Sequence, residues 1–205
     1  MPLIKSLLFF LAFASCNVRT SSAIYKDDFN LKSDLLIIQK PTYNYIEFVN
    51  YEPHDPKKWM FAKDTPIFYS SFNEELVKYF KDKENVRFSG EKILSKQQED
   101  SCFRLLQRNS KDSFHLFIES IFPIQSTNIP IGVLRVEFVM SKETGTSGLG
   151  PMGNFTPLGA YYISFFAVKK NKLVFYNSER WAAIINGMFT SKRSRNAIKG
   201  FFRRI

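Results

Sequence analysis

The sequence predicts an α+β domain with a mixed, largely antiparallel sheet, two helices in its first half and a C-terminal basic amphipathic helical segment. Three observations predict it: two helix capping boxes, an alternation that sets apolar residues at 134, 136, 138 and 140 against Arg135 and Glu137, and apolar residues at helical spacing near the C-terminus. The 205 residues are 44% hydrophobic and 16% aromatic, which excludes disordered and collagen-like chains and suits one domain.

The first segment, MPLIKSLLFFLAFASC, is typical of a secretory signal, which we place at residues 1–15. Lys5 is its only charge, and ten uncharged, mostly apolar residues follow it. That run is too short to cross roughly 30 Å of hydrocarbon, and no later segment reaches the roughly 20 apolar residues that a spanning helix needs. We therefore expect an exported protein whose mature chain has no transmembrane helix.

Two processing sites compete at the end of this segment. Phe13-Ala14-Ser15-Cys16 resembles a bacterial lipobox, in which the cysteine thiol takes a diacylglyceryl group before cleavage. Ala12-Phe13-Ala14 instead fits the A-x-A site of ordinary signal peptidase, which would leave Cys16 able to pair with Cys102 as a disulfide. We favour lipidation of Cys16, because this cysteine lies where the hydrophobic region ends. Residues 16–34 are predicted to be a polar tether.

From residue 35 onward we predict one domain, since neither an internal repeat nor a long Pro/Gly/Ser-rich stretch divides the chain. Runs rich in β-branched and aromatic residues predict strands, and S-x-x-E/Q boxes at Ser71 and Ser95 predict helix starts. The elements expected in the first half are strands at 35–38, 45–51 and 86–88 and helices at about 72–84 and 96–109.

The second half begins with expected strands at 114–122 and 131–140. Strands at 160–168 and 173–177 follow, joined by a polar turn as a hairpin. Two apolar stripes at helical spacing then predict helices: the first is Trp181, Ile184, Ile185, Met188 and Phe189, and the second is Ala197, Ile198, Phe201, Phe202 and Ile205.

This order of elements behind a lipobox resembles small bacterial envelope lipoproteins of the curli-secretion lipoprotein type, including lipoprotein activators of penicillin-binding proteins. The resemblance covers about residues 45–205, and KLVFYNSERW and SRNAIKGFFRRI are most similar to the last strand and closing helix of the family. It implies an α+β envelope lipoprotein and permits a homo-oligomer or a subunit of a secretion or channel assembly. It carries over no functional residue.

The positive charge is concentrated at the C-terminal end. The whole chain has a formal net charge of +10, and from Lys169 onward ten basic residues stand against Glu179 alone. We expect this end to contact anionic phospholipid headgroups or an acidic partner, because basic residues near an anionic leaflet attract it. Nucleic acid is not expected as a partner of an exported protein. The alternative is that the apolar stripe packs on the sheet while the charges stay solvated. The candidate contacts are Lys192, Arg193, Arg195, Lys199, Arg203 and Arg204.

Catalytic motifs are weak, and we predict no catalytic residue, metal or cofactor. His115 follows Phe114 on an expected strand and is interpreted as structural, whereas His54 lies in a proline-flanked loop. Residues 148–153 match G-x-G-x-x-G formally, but Pro151 interrupts the motif and the chain leads on into a strand rather than a helix. Residues 141–159 are instead predicted to be a loop, which could contact a partner through Met152 and Phe155.

The leading hypothesis is a non-enzymatic envelope lipoprotein that is anchored through Cys16 and binds or assembles with another envelope component. An exported enzyme that uses His54 with Asp55 or Glu52 is the first alternative. A subunit of a secretion or channel assembly is the second.

Overall fold

The computed structural model describes residues 19–26, 29–30, 34–49, 52–53, 55, 65–121, 129–142, 158–184 and 191–203. The predicted α+β class with a mixed sheet and a C-terminal helix is confirmed. In chain order the described elements are β1 (Arg19–Lys26), β2 (Leu36–Ile38), β3 (Thr42–Val49), β4 (Glu52–Pro53), α1 (Thr65–Phe80), β5 (Val86–Phe88), α2 (Lys96–Gln107), α3 (Lys111–Ile121), β6 (Ile131–Lys142), β7 (Leu158–Lys169), β8 (Lys172–Ile184) and α4 (Ser191–Phe202).

The sheet runs in the order β1-β8-β7-β6-β2-β5, and the pairs from β1 to β6 are antiparallel. β2 and β3 both run parallel to β6 along one side of it. Ile38 pairs with Gly132, and Thr42 pairs with Arg135. Between these two pairs the chain from β2 to β3 has three residues, whereas β6 has two. The extra residue interrupts the edge at residues 39–41.

The predicted hairpin is β7 and β8. Lys170 and Asn171 in its turn have φ of 50° and 60°, the positive values that a two-residue hairpin turn of type I′ requires at both central positions. Asn tolerates this backbone well, which explains why the turn forms at KKNK.

Helices cover both faces of the sheet. On one face α1 and α4 pack on the apolar residues of β6 and β7 and form a first core, whose helical residues include Phe72, Leu76, Ala197, Ile198, Phe201 and Phe202. On the other face α2 and α3 bury Cys102, Phe103, Phe114 and Ile118 against Val133 and Phe166. The two layers explain why both sides of β7 are buried.

Several predicted elements differ from the structure. α1 spans Thr65–Phe80 instead of about 72–84, so the predicted cap residue Ser71 lies inside the helix. Pro66 is compatible with this earlier start, because a missing N–H costs nothing in the first turn. Residues 114–121 form helix α3 rather than a strand, since Phe114 and Ile118 lie one helical turn apart and face the same core.

Two further differences concern the last strand and its partner. Trp181 and Ile184 belong to β8 rather than to a helix, and the rest of that predicted stripe, residues 185–189, lies outside the described residues. Trp181 pairs on one side with Tyr161 and on the other with Arg19 of β1. Residues 19–26 of the predicted tether therefore contribute an edge strand to the sheet.

Candidate functional site

The basic C-terminal segment is a helix whose apolar face is already used. Ala197, Ile198, Phe201 and Phe202 of α4 are buried in the first core. The apolar stripe therefore packs on the sheet, while Lys192, Lys199 and Arg203 are exposed. Any contact that this helix makes with another molecule must come from its charged face.

Helices α1 and α4 lie side by side and run in the same direction. The hydroxyls of Ser71 and Ser191 are 3.1 Å apart, and about two turns further along α1 and three turns further along α4 the rings of Tyr79 and Phe202 stack with centroids 5.8 Å apart. The N-termini of both helices therefore lie at the same end of the domain.

This end is also where the chain enters the sheet. Tyr161 of β7 and Ser194 in the first turn of α4 have their hydroxyl oxygens 3.3 Å apart. Tyr161 pairs with Trp181, which pairs with Arg19, the first residue of β1. We call this region the β1 end: the start of β1, the Tyr161–Trp181 pair and the first turns of α1 and α4.

Among the six predicted basic contacts, Arg195 has a partner within the fold. Its Nε and Nη2 donate hydrogen bonds of 2.7 and 3.1 Å to the two carboxylate oxygens of Glu75 on α1. The Glu75 side chain is buried, and the hydrogen bond from Arg195 is the main cause that lowers the pKa of that carboxyl. Arg195 thus connects α4 to α1. Arg193 is half-buried, and Arg204 lies outside the described residues.

The remaining predicted site residues are not brought together. Cys16, His54, Met152 and Phe155 lie outside the described residues. His115 is on α3, not on a strand, and its Nε2 accepts a hydrogen bond of 3.3 Å from the backbone N–H of Leu173. This contact fits the structural role predicted for it.

A buried polar cluster, which the sequence did not predict, lies at the break between β2 and β3. Glu99, in the first turn of α2, has no exposed surface, and its two carboxylate oxygens accept hydrogen bonds of 2.5 Å from Gln39 and Thr42. Lys92 donates to the Thr42 hydroxyl at 2.7 Å and lies 3.9 Å from Glu99. The side-chain oxygen Oε1 of Gln39 accepts hydrogen bonds from the backbone N–H groups of residues 93 and 94, each at 3.1 Å.

The side chains of this cluster join separate elements of the fold. Burial is the main cause that raises the pKa of Glu99, and the hydrogen bond from Thr42 and the charges of Lys92 and Arg135 act against it. Arg135 itself donates to Asp100 at 2.5 Å, and its guanidinium lies 4.4 Å from the ring centroid of Phe103. The cluster therefore attaches the start of α2 to the interrupted sheet edge and to β6.

Within the described ranges, no group of three or more His, Cys, Asp or Glu side chains is arranged to hold a metal ion. No helix in the same ranges is long and apolar enough to span a membrane.

No protein-family model matches the chain, and no curated protein sequence matches it. Solved structures with some similarity include a hypothetical protein from Chlamydia trachomatis, at 11% identity with a TM-score of 0.40, covering 84% of this chain and 95% of that one. The PelC dodecamer from Paraburkholderia phytofirmans has 7% identity and a TM-score of 0.36, covering 89% and 94%. The Evf virulence factor has 11% identity and a TM-score of 0.26, covering 97% and 88%.

Proposed function

We propose that the protein is an exported bacterial envelope lipoprotein, held at a membrane by acyl chains on Cys16, that acts by binding or assembling with another envelope component rather than by catalysis. The observation that carries this proposal is the sequence FASC at the end of a hydrophobic segment, three residues ahead of β1. A thiol at that position is the nucleophile that lipidation requires.

The position of β1 supports a short connection between anchor and domain. Arg19 pairs with Trp181 in the sheet, so three residue steps separate a lipidated Cys16 from the folded domain. An extended chain covers at most about 3.6 Å per residue, so the separation is at most about 11 Å. The domain is then held close to the membrane surface instead of on a long tether.

The proposed contact surface for an anionic envelope partner is the exposed charged side of α4, chiefly Lys192, Lys199 and Arg203. These side chains project from a helix whose other face is fixed in the first core. A surface on a rigid element can recognise an anionic partner without the cost of ordering it first.

The proposal is tested by growing bacteria that express the full chain with labelled palmitate and then separating membranes from soluble proteins. The wild-type chain is expected to take up label and to sediment with membranes, whereas Cys16→Ser loses both properties. Cys102→Ser is the matched control, since Cys102 is the buried cysteine and should not affect labelling. Unlabelled, soluble wild-type protein would overturn the lipoprotein assignment.

A further inference from the structure

We propose that the β1 end of the domain docks on an anionic phospholipid bilayer through Lys192 and Arg193, while Lys199 and Arg203 lie away from the lipid surface. This inference rests on the Cys16 anchor of the proposed function. It assigns different roles to two pairs of basic residues in and directly after α4: the first pair contacts lipid and the second pair does not.

The first step is the position of the anchor. Arg19 lies two strands away from Tyr161 in the sheet, which is about 10 Å at the usual strand spacing. The Tyr161 hydroxyl contacts Ser194, the residue next to Arg193. The first turn of α4 and the start of β1 thus lie at the same end of the domain, the end from which the short anchor segment leads to the bilayer.

The second step is the length of α4. Lys199 and Arg203 lie seven and eleven residues beyond Lys192, which corresponds to about 10 and 16 Å along a helix that rises about 1.5 Å per residue. Charges separated from a surface by more than a Debye length, about 8 Å at physiological ionic strength, are largely screened. Headgroups next to the first turn of α4 thus attract Lys192 and Arg193 much more strongly than Arg203.

The third step is an exposed apolar side chain at the same end. Ile67 is 63% exposed and lies one helical turn before Ser71, which contacts Ser191. A single exposed isoleucine is ordinary on a protein surface. At the same end of the domain as Lys192 and Arg193, however, it offers an apolar side chain of the kind that accompanies cations in interfacial binding. Val77, 46% exposed on the same helix, lies nearer the opposite end.

The test attaches the anchor chemically. A chain of residues 16–205, which contains every described element, is coupled through the Cys16 thiol to a maleimide phospholipid in vesicles; Cys102 is buried and does not compete. The vesicles contain phosphatidylcholine alone or with phosphatidylglycerol. The rates at which a water-soluble amine reagent acetylates Lys192 and Lys199 are then measured by mass spectrometry.

Anionic vesicles are expected to slow acetylation of Lys192 about fivefold relative to neutral vesicles, the factor that corresponds to about 1 kcal/mol per basic residue near an anionic leaflet. The rate at Lys199 should not change, and high salt should restore the rate at Lys192. Arg193→Gln and Ile67→Ser should weaken the protection, whereas the matched variants Arg203→Gln and Val77→Ser should not.

Equal slowing at both lysines, or slowing at neither, would overturn the proposed orientation. Because coupling supplies the anchor, this outcome is independent of whether cells lipidate Cys16. If palmitate labelling fails but the lysine protection is as expected, the proposed lipidation is overturned, whereas the proposed docking of the β1 end on an anionic bilayer stands.

Discussion

Arg195 donates two hydrogen bonds to Glu75 and so joins the first half of α4 to the middle of α1. Because the carboxylate is buried and the guanidinium is half-exposed, the pair fixes the relative position of two helices that pack on the same face of the sheet. One of the six basic residues assigned to partner contact thus has a role in holding the domain together.

We predict that Glu75→Gln lowers the midpoint of thermal unfolding at neutral pH, because an amide cannot accept both hydrogen bonds from Arg195. The pKa of Glu75 is lowered in the folded state, so its stabilising effect is present above the ordinary carboxyl pKa and is lost as pH falls through the lowered value. The difference between wild type and variant should therefore shrink in acid. The control is Glu74→Gln, at an exposed position on the same helix. A difference that persists unchanged at low pH would contradict this account.

Gly200→Ala should destabilise the domain by about 1–3 kcal/mol, although alanine is the better helix former. A Cβ at this position would clash with Cη2 of the Trp181 ring. The indole ring cannot easily move, since its N–H donates to Glu179 at 3.1 Å. Urea unfolding measures the change.

Two companion variants test the cause. Trp181→Phe removes the ring atoms that clash, so the cost of Gly200→Ala should fall in that background. Gly90→Ala should have little effect, because nothing lies within 4 Å of the added carbon. Equal costs of Gly200→Ala in both backgrounds would show that the clash is not the cause.

The stability of wild type relative to Glu99→Gln should fall as pH rises from the acid range to neutrality. The pKa of Glu99 is raised by burial, so the folded state holds this proton more tightly than the unfolded chain, and that stabilisation is lost as pH rises through the folded-state value. Urea unfolding at several pH values measures the trend.

The variant Glu99→Leu tests whether the hydrogen bonds to Glu99 stabilise the fold. It leaves the donors of Gln39 and Thr42 without an acceptor, at a cost of about 1–3 kcal/mol for each buried group. If the leucine variant is as stable as wild type, then the hydrogen bonds to Glu99 do not hold α2 in place.

Cys102 should be unreactive in the folded protein. It is buried in the second core, and burial is the main cause that raises the pKa of its thiol to about 12. A maleimide added to a chain of residues 16–205 is expected to label Cys16 alone in buffer and both cysteines in denaturant. Labelling of Cys102 in buffer, at a rate near that of a free thiol, would contradict its burial.

Local signals in the sequence predicted the elements that depend on local contacts. The capping box at Ser95 and Gln98 forms as expected, with both reciprocal hydrogen bonds, because its partners are three residues apart. The alternation in β6 placed Leu134 and Phe138 in the core correctly. Such alternation is typical of a sheet with one face open to solvent, yet α2 covers Arg135 on the second face, and the exposed fraction of Arg135 is only 8%.

Features that depend on distant partners could not be predicted in this way. β1 has the polar sequence RTSSAIYK, and it is ordered by backbone pairing with β8, more than a hundred residues away. Glu99 is joined to Gln39 and Thr42 across about sixty residues, and no local pattern in its helix marks that contact. The helical spacing of Phe114 and Ile118 was present in the sequence, but the apolar residues between them suggested a strand.

The central claim, a lipid anchor directly ahead of β1, is tested most directly by the intact mass of the mature protein extracted from bacterial membranes, beside a Cys16→Ser variant. The account predicts a chain that starts at Cys16 and carries the added mass of acyl groups, which the variant lacks. An unmodified soluble chain that starts at Ser15 would contradict it.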